Sequence, residues 1–268
     1  ADAMFPPGVE ITVAMVQRMF LAAGCAAAVS FLLTALATAG SRPIKQKPRP
    51  PALWLLRRYH PGVILLCAGA MGIGVMLPST FLQPYAEQLD IHRVRTFFFV
   101  YAASAFGVRI ATRHFTDRHG VRFTAQLGFA FLAASMLSFI AVKSEAMLAL
   151  PAALGGIAHA FMFPAIVKGG SISFPARYRG LATTLVLAMF DLSNLFGQPA
   201  IGAVVEYAPA IGLPGYNTMF VGVSLIMVAA GIAAGWIKNE PPDKSSVDPS
   251  VGELAVERET RELVETAS

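Results

Sequence analysis

Three polar side chains within one long apolar segment have the types and spacing to bind a proton or a cation. Asp191, Asn194 and Gln198 stand at positions i, i+3 and i+7, so a helix over 180–205 would place them on one face. At 1.5 Å per residue Asp191 would lie ~17 Å from Gly180, near the middle of a bilayer. An ionisable group at that depth is costly unless it faces a cavity or a partner. We predict that Asp191 binds a proton or a cationic substrate, with hydrogen bonds from the two amides; the alternative is an ion pair made only for packing.

A histidine in another apolar segment is a second candidate for proton chemistry. His159 would lie ~20 Å along a helix from Ala146, and the unperturbed imidazole titrates near neutral pH. The alternative is a neutral His159 that only hydrogen-bonds between helices. Tyr101, in the segment 96–112, is a further candidate for the wall of a cavity, although such hydroxyls also join helices without binding a solute. We include both residues in the predicted binding site.

The elements that must position these residues are membrane-spanning helices. The chain of 268 residues is 55% hydrophobic and 14% charged, whereas a soluble domain has about 25% charged residues. Each apolar segment is long enough, at 1.5 Å per residue, to cross all or most of a ~30 Å hydrocarbon core. The sequence therefore predicts an all-α membrane protein in a lipid bilayer, with about seven spans at 18–39, 61–81, 96–112, 123–142, 146–172, 180–205 and 216–237.

Basic residues between the spans predict the orientation. Eleven Lys and Arg residues fall in 41–60, 113–122 and 175–179, and four fall in the loops or span ends on the opposite side. Because Lys and Arg collect on the cytoplasmic side, we predict that these three segments and the tail 238–268 are cytoplasmic in a cell membrane. The same placement, in short loops between apolar spans, argues against a nucleic-acid partner.

One of these loops carries a motif. Residues 117–122 read D-R-H-G-V-R and resemble the loop motif of the major facilitator superfamily, commonly written G-x-x-x-D-R-x-G-R-R/K. The matching residues are Asp117, Arg118, Gly120 and Arg122. The chain departs from the motif at Arg113, where the family usually has Gly, and at Val121, where it has Arg or Lys. The segment from Arg179-Gly180 through Asp191, Gly197 and Gly202 is also similar to the eleventh helix of that family.

The resemblance implies a major facilitator-type bundle. It implies twelve helices in two six-helix halves, a central cavity between them, and alternating access by rocking of the halves. This chain would hold helices six to twelve, and the N-terminal helical bundle would be its missing partner. The predicted divisions are an outer loop with the last helix of the N-terminal half (1–40), a basic cytoplasmic linker (41–60), a six-helix C-terminal bundle (61–237) and a polar tail (238–268).

A charge network is predicted at the loop motif. Arg109, eight residues before Asp117, matches an arginine frequent in such sequences and lies near the inner end of its span. We expect Asp117, with Arg109 and Arg118 nearby, to pair with the opposite bundle in one conformation only, and so to bias a two-state equilibrium. Gly120 would supply a turn. The alternative for this cluster is a topology anchor without a role in gating.

The predicted function is secondary transport of a small solute by alternating access, coupled to protons. Two other classes of function are alternatives. A seven-helix receptor fits the span count, but the last span lacks the lysine that a retinal protein needs. An intramembrane enzyme would need a motif such as H-E-x-x-H or paired aspartates at mid-depth, which the sequence lacks. We predict no enzymatic activity, no cofactor and no metal site.

Overall fold

A computed structural model describes residues 13–39, 57, 59, 62–175 and 178–237, and the regular structure within them is helical. Two short 3-10 helices, Glu145–Leu148 and Ala208–Ile211, accompany seven α-helices in this part of the chain. We number these α1 (Val13–Thr38), α2 (Val63–Gln88), α3 (Arg95–Ala111), α4 (Phe115–Phe139), α5 (Ala149–Ile172), α6 (Arg179–Tyr207) and α7 (Gly215–Ala234). The predicted tail and most of the predicted basic linker lie outside the described residues.

Six of the described helices are long and apolar enough to cross a membrane. α3, with 17 residues, lies at the short end of the spanning range. Length and composition therefore indicate a multi-pass membrane protein, and the prediction of an all-α membrane fold is confirmed.

The chain divides into two compact units, residues 1–49 and 50–268. In the first unit, every side chain that the structure describes on α1 is exposed. These include large apolar groups such as Phe20 and Leu36, which are 75% and 72% exposed. The hydroxyls of Thr34 and Thr38 donate to carbonyls one turn earlier in the helix, which satisfies them without water. Such a helix needs lipid or other apolar helices around it.

In the second unit, α2, α4, α5 and α7 supply most of the buried core. Its helices approach one another closely through glycines. A Cβ at Gly72 would stand 2.5 Å from the carbonyl oxygen of Phe190 on α6, and one at Gly156 would stand 2.5 Å from that of Tyr101 on α3. Backbone-to-backbone contact of this kind holds membrane helices together where the hydrophobic effect between them is weak.

Two predicted helix boundaries are wrong, and the first concerns α2. The predicted span ends at residue 81, but α2 continues through Pro78 and Pro84 to Gln88. A proline in a helix removes one backbone hydrogen bond, and packing against neighbouring helices can offset that loss. Gln83 also donates to Glu87 one turn later at 3.0 Å, which supports the last turn.

The second wrong boundary is the charged cluster at 113–122, which was predicted to be a loop. Only residues 112–114 separate α3 from α4, and Phe115 to His119 already form a helical turn. At Gly120 the backbone leaves helical geometry, with φ 82° and ψ 164°, before the helix resumes. Glycine adopts positive φ without a steric penalty, so the chain bends there instead of at an open loop.

Candidate binding and gating sites

The amide pair on α6 lies against α2. The Gln198 side-chain nitrogen donates to Asn194 Oδ1 at 3.0 Å and to the Ile73 carbonyl on α2 at 3.3 Å. The Gln198 side-chain oxygen is buried and has no hydrogen-bond partner among the described residues. The two predicted amides therefore hydrogen-bond to each other and to α2, leaving one buried acceptor unsatisfied.

Asp191 lies on the same face of α6, two turns before Gln198, but it is more exposed than the two amides. Its side chain is exposed, and within the described part of the chain its carboxylate has no hydrogen-bond or ion-pair partner. Its exposed neighbours are apolar: Leu192 is 48% exposed, and Leu195 and Phe196 are each 67% exposed. The structure thus places one carboxylate alone on an apolar face. The predicted role of Asn194 and Gln198, to add hydrogen bonds when Asp191 binds a proton or a cation, stays a prediction.

His159 and Tyr101 meet at the interface of α5 and α3. The Tyr101 hydroxyl lies 2.6 Å from His159 Nδ1, within hydrogen-bond distance, and the hydroxyl can donate to this nitrogen or accept from it according to the tautomer of the imidazole. Gly155 and Gly156 on α5 make room for the Tyr101 ring and backbone. The structure therefore brings together two residues that were predicted separately.

This pair and the α6 group occupy different interfaces. α5 packs against both α3 and α6. Among the described residues, no hydrogen bond connects the His159–Tyr101 pair with Asp191, Asn194 or Gln198. The predicted binding residues therefore form two groups rather than one cluster.

At one end of the bundle, α3, α4 and α5 enclose a cavity of about 330 Å³, which we call the α3–α5 cavity. Its polar lining comes from Arg109, Thr112, Arg113, Thr116, Asp117 and Lys168, and its apolar lining from Ala160, Phe161 and Pro164. The Arg109 guanidinium carbon lies 5.8 Å from the centre of the Phe163 ring, within the range of a cation–π contact.

The partner of Asp117 in the described structure is Lys168 on α5. The Lys168 ammonium forms an ion pair with Asp117 Oδ1, and His114 Nδ1 lies 4.0 Å from the other carboxylate oxygen. The predicted pairing of Asp117 with an opposite bundle stays a prediction. Lys168 was not among the predicted site residues, although it is the one Lys or Arg in the segment 146–172, which was a usable signal.

The remaining motif residues surround the bend at Gly120. Arg118 and Arg122 are exposed. Arg122 reaches the end of α7, where a Cβ at Gly235 would lie 3.7 Å from its guanidinium nitrogen. Arg113, which stands where the related motif usually has Gly, is exposed and lines the cavity, so no tight helix contact excludes its side chain.

Comparison with known proteins gives concordant matches. Residues 110–266 match a family model described as Major Facilitator Superfamily. A 90-residue segment is 33% identical to each of two provisionally named tartrate transporters of Agrobacterium vitis, covering 34% of this chain and 21% and 20% of those proteins. A 149-residue segment is 29% identical to the inner membrane transport protein RhmT of Escherichia coli, covering 56% of this chain and 34% of that protein. The chain thus spans about a fifth to a third of the length of these curated relatives.

Proposed function

We propose a function from one premise: the chain belongs to the major facilitator superfamily, whose model matches more than half of it. The protein is a secondary transporter that moves a small solute across a cell membrane by alternating access. The names of its relatives, which describe transport, support this assignment over a receptor or an enzyme. Tartrate, named for two of those relatives, is the first solute to test.

A second helical bundle completes the transporter in this proposal. The exposed surfaces of α3 and α6 support a second bundle, because large parts of both helices are not covered by other helices of the second unit. On α3 only Phe97 is buried, and Phe99 and Phe106 are 77% and 70% exposed. On α6 the exposed face includes Asp191. A carboxylate facing lipid tails would be strongly disfavoured, whereas a water-filled cavity between two bundles would accommodate it.

Asp191 carries the proposal, with the role of proton or cation binding. The observation is its position: an exposed carboxylate without a partner in the described residues, on a helix long enough to span a membrane. Protonation would make the group neutral and remove the desolvation penalty of the charged form. Loading with a proton or a cation would therefore lower the free energy of a conformation in which the cavity is closed around Asp191.

His159 and Tyr101 supply a second titratable pair. Protonation of His159 Nδ1 would reverse the 2.6 Å hydrogen bond, so that the imidazolium donates and the Tyr101 oxygen accepts, and the strength of the contact between α3 and α5 would therefore depend on pH. The pair would then tune how pH changes the transport rate, while Asp191 would carry the coupled ion.

The test is solute flux in proteoliposomes that contain the full-length protein. Tartrate uptake or release is measured with and without an imposed pH gradient, for the unsubstituted protein and for Asp191→Asn. The matched control is Asp90→Asn. Asp90 is an exposed carboxylate in the turn after α2, with φ 58°, a conformation that Asn also tolerates. Gradient-driven flux that is lost in D191N and kept in D90N would support the proposal.

Two other outcomes would contradict parts of it. Flux that is indifferent to the gradient and to D191N would indicate a facilitator, with Asp191 reduced to a structural role. Absence of flux for tartrate and for a wider panel of small solutes, in protein that is shown to be folded, would contradict secondary transport itself.

A separate test addresses orientation. The proposal places the tail 238–268 and the end of the bundle that holds the α3–α5 cavity on the cytoplasmic side. A reporter fused after residue 268, active only in the cytoplasm, should be active in cells. Activity of a reporter restricted to the opposite side would reverse the orientation.

A further inference from the structure

Among the described residues, the α3–α5 cavity has an excess of positive charge. Three basic side chains line it, Arg109, Arg113 and Lys168, and Asp117 is the single acidic one. Asp117 is paired with Lys168. Neither guanidinium has a carboxylate within ion-pair distance in the described part of the chain. The cavity therefore contains two uncompensated positive charges and one compensated one.

The shape and lining of the cavity suit a small ligand. Its volume of about 330 Å³ lies at the lower end of the range for small-molecule sites, ~300–1,000 Å³. Part of the lining is apolar, and its residues Ala160 and Phe161 are buried in the bundle. An apolar wall strengthens the attraction between a guanidinium and an anion, because it excludes water from one side. The Thr116 hydroxyl adds a donor at the rim.

We propose that the α3–α5 cavity binds a small oxyanion, a carboxylate or a phosphate, through Arg109 and Arg113. A guanidinium presents paired N–H donors that match the two oxygens of such a group. The anion comes either from a soluble metabolite or from a lipid headgroup at the membrane surface, and both sources present the same chemistry to the cavity. This site does not depend on the transport function of Asp191, and the two lie on different helices.

Binding there would compete with Asp117 for Lys168. The ammonium of Lys168 lines the same cavity, so an incoming anion offers it a second negative partner. Conversely, the Asp117 carboxylate repels the anion. Bound anion would therefore weaken the contact that joins the first turn of α4 to α5, and substitution of Asp117 should tighten anion binding.

Loss of an arginine should weaken anion binding and loss of Asp117 should tighten it, so the test compares changes in affinity of opposite sign. Isothermal titration calorimetry measures binding to the full-length protein in nanodiscs of neutral phosphatidylcholine. The probes are inorganic phosphate, succinate and dioctanoyl phosphatidylglycerol. We expect Arg109→Gln and Arg113→Gln each to weaken binding about two- to fivefold, the range for exposed ion pairs. We expect Asp117→Asn to strengthen binding by a similar factor, a gain that partial unfolding would not produce.

Control variants separate the cavity from general electrostatics. Arg93→Gln removes one exposed positive charge between α2 and α3, away from the cavity, and should leave the affinity unchanged. Arg113→Lys keeps the charge and should retain most of the binding. Affinity for phosphate or succinate would identify a soluble anion, and affinity for the lipid alone would identify a headgroup. Equal losses in R93Q and R113Q, no gain in D117N, or no saturable binding of any probe would each overturn the proposal.

Discussion

The two carboxylates to which we assign roles differ in almost every physical respect. Asp117 lies at the end of a helical bundle, 62% exposed, with a lysine and a histidine close by. Asp191 lies far along a spanning helix, among exposed apolar side chains and without a partner in the described residues. A charge that is compensated within its own bundle, as in the Asp117–Lys168 ion pair, can hold two helices together in one conformation. We call this ion pair the latch. A charge without compensation within its bundle needs a ligand, an ion or another part of the protein.

Substitution of Asp191 should have the largest effect of all. We expect Asp191→Asn to lower gradient-driven flux at least tenfold, because Asn can neither release nor accept the coupled proton. Asp117→Asn should instead lower the maximal rate and leave the concentration for half-maximal flux nearly unchanged. Initial rates over a range of solute concentrations would measure both parameters. If D191N and D117N change the same kinetic parameter by the same factor, the two carboxylates do not have different roles.

The latch itself can be tested by exchanging its charges. Asp117→Lys and Lys168→Asp each place like charges together and should reduce the maximal rate severalfold. The double exchange restores an attractive pair and should recover part of the rate. Because both side chains are substantially exposed, we expect changes of only a few degrees in the unfolding midpoint of the protein in detergent. Double-exchange protein that is no faster than either single variant would contradict a role for the pair.

Tyr101→Phe should have a smaller effect, confined to pH dependence. It removes the hydroxyl that lies 2.6 Å from His159 but keeps the aromatic ring that stacks on Phe97. We expect the maximal rate at the optimum pH to change less than twofold, while the flux–pH curve shifts. Phe98→Tyr, on the same helix but exposed, is a control that adds a hydroxyl elsewhere. An unchanged flux–pH curve in Y101F would indicate that the His159–Tyr101 pair only packs α3 against α5.

Gln198→Met should have the smallest effect. The substitution removes a buried oxygen that lacks a partner among the described residues, together with two hydrogen bonds donated by the same amide. The loss of about 0.5–1.5 kcal/mol for each hydrogen bond is offset by relief of the unsatisfied acceptor. The thermal midpoint should move by no more than a few degrees. Gln83→Met, on the exposed end of α2, is the matched control. A large drop in Q198M alone would show that the oxygen has a stabilising partner in the full protein.

The sequence was sufficient to predict an all-α membrane fold and to identify the family, and both predictions are confirmed. Long apolar runs have few stable alternatives in a membrane, because every backbone polar group must be paired within the segment. The ends of α2 and α4 were wrong, since proline and charge are weak stop signals where neighbouring helices provide the packing. Gly120 was expected to turn the chain, and it does so inside a helix rather than in a loop.

Contacts between residues that are far apart in the chain could not be predicted from the sequence. Tyr101 and His159 were each noticed, but they are 58 positions apart and nothing in either segment specifies that they meet. Lys168 is the one Lys or Arg in the segment 146–172, but that composition does not identify which residue it pairs with. Its partner is 51 positions earlier in the chain. Such pairs depend on how helices are rotated about their axes, and helical periodicity is too weak a signal here to define that rotation.

The bend at Gly120 has a mechanical consequence. It separates α4 into a short arm, which carries Asp117, and a long shaft, which carries Phe129, Leu132 and Met136 into the core. Rotation about the two backbone bonds of a single glycine swings the arm while the shaft stays seated. Such a movement would break the ring contact between Phe115 on the arm and Phe161 on α5, 5.1 Å between centroids, and would leave the buried residues of the shaft in place.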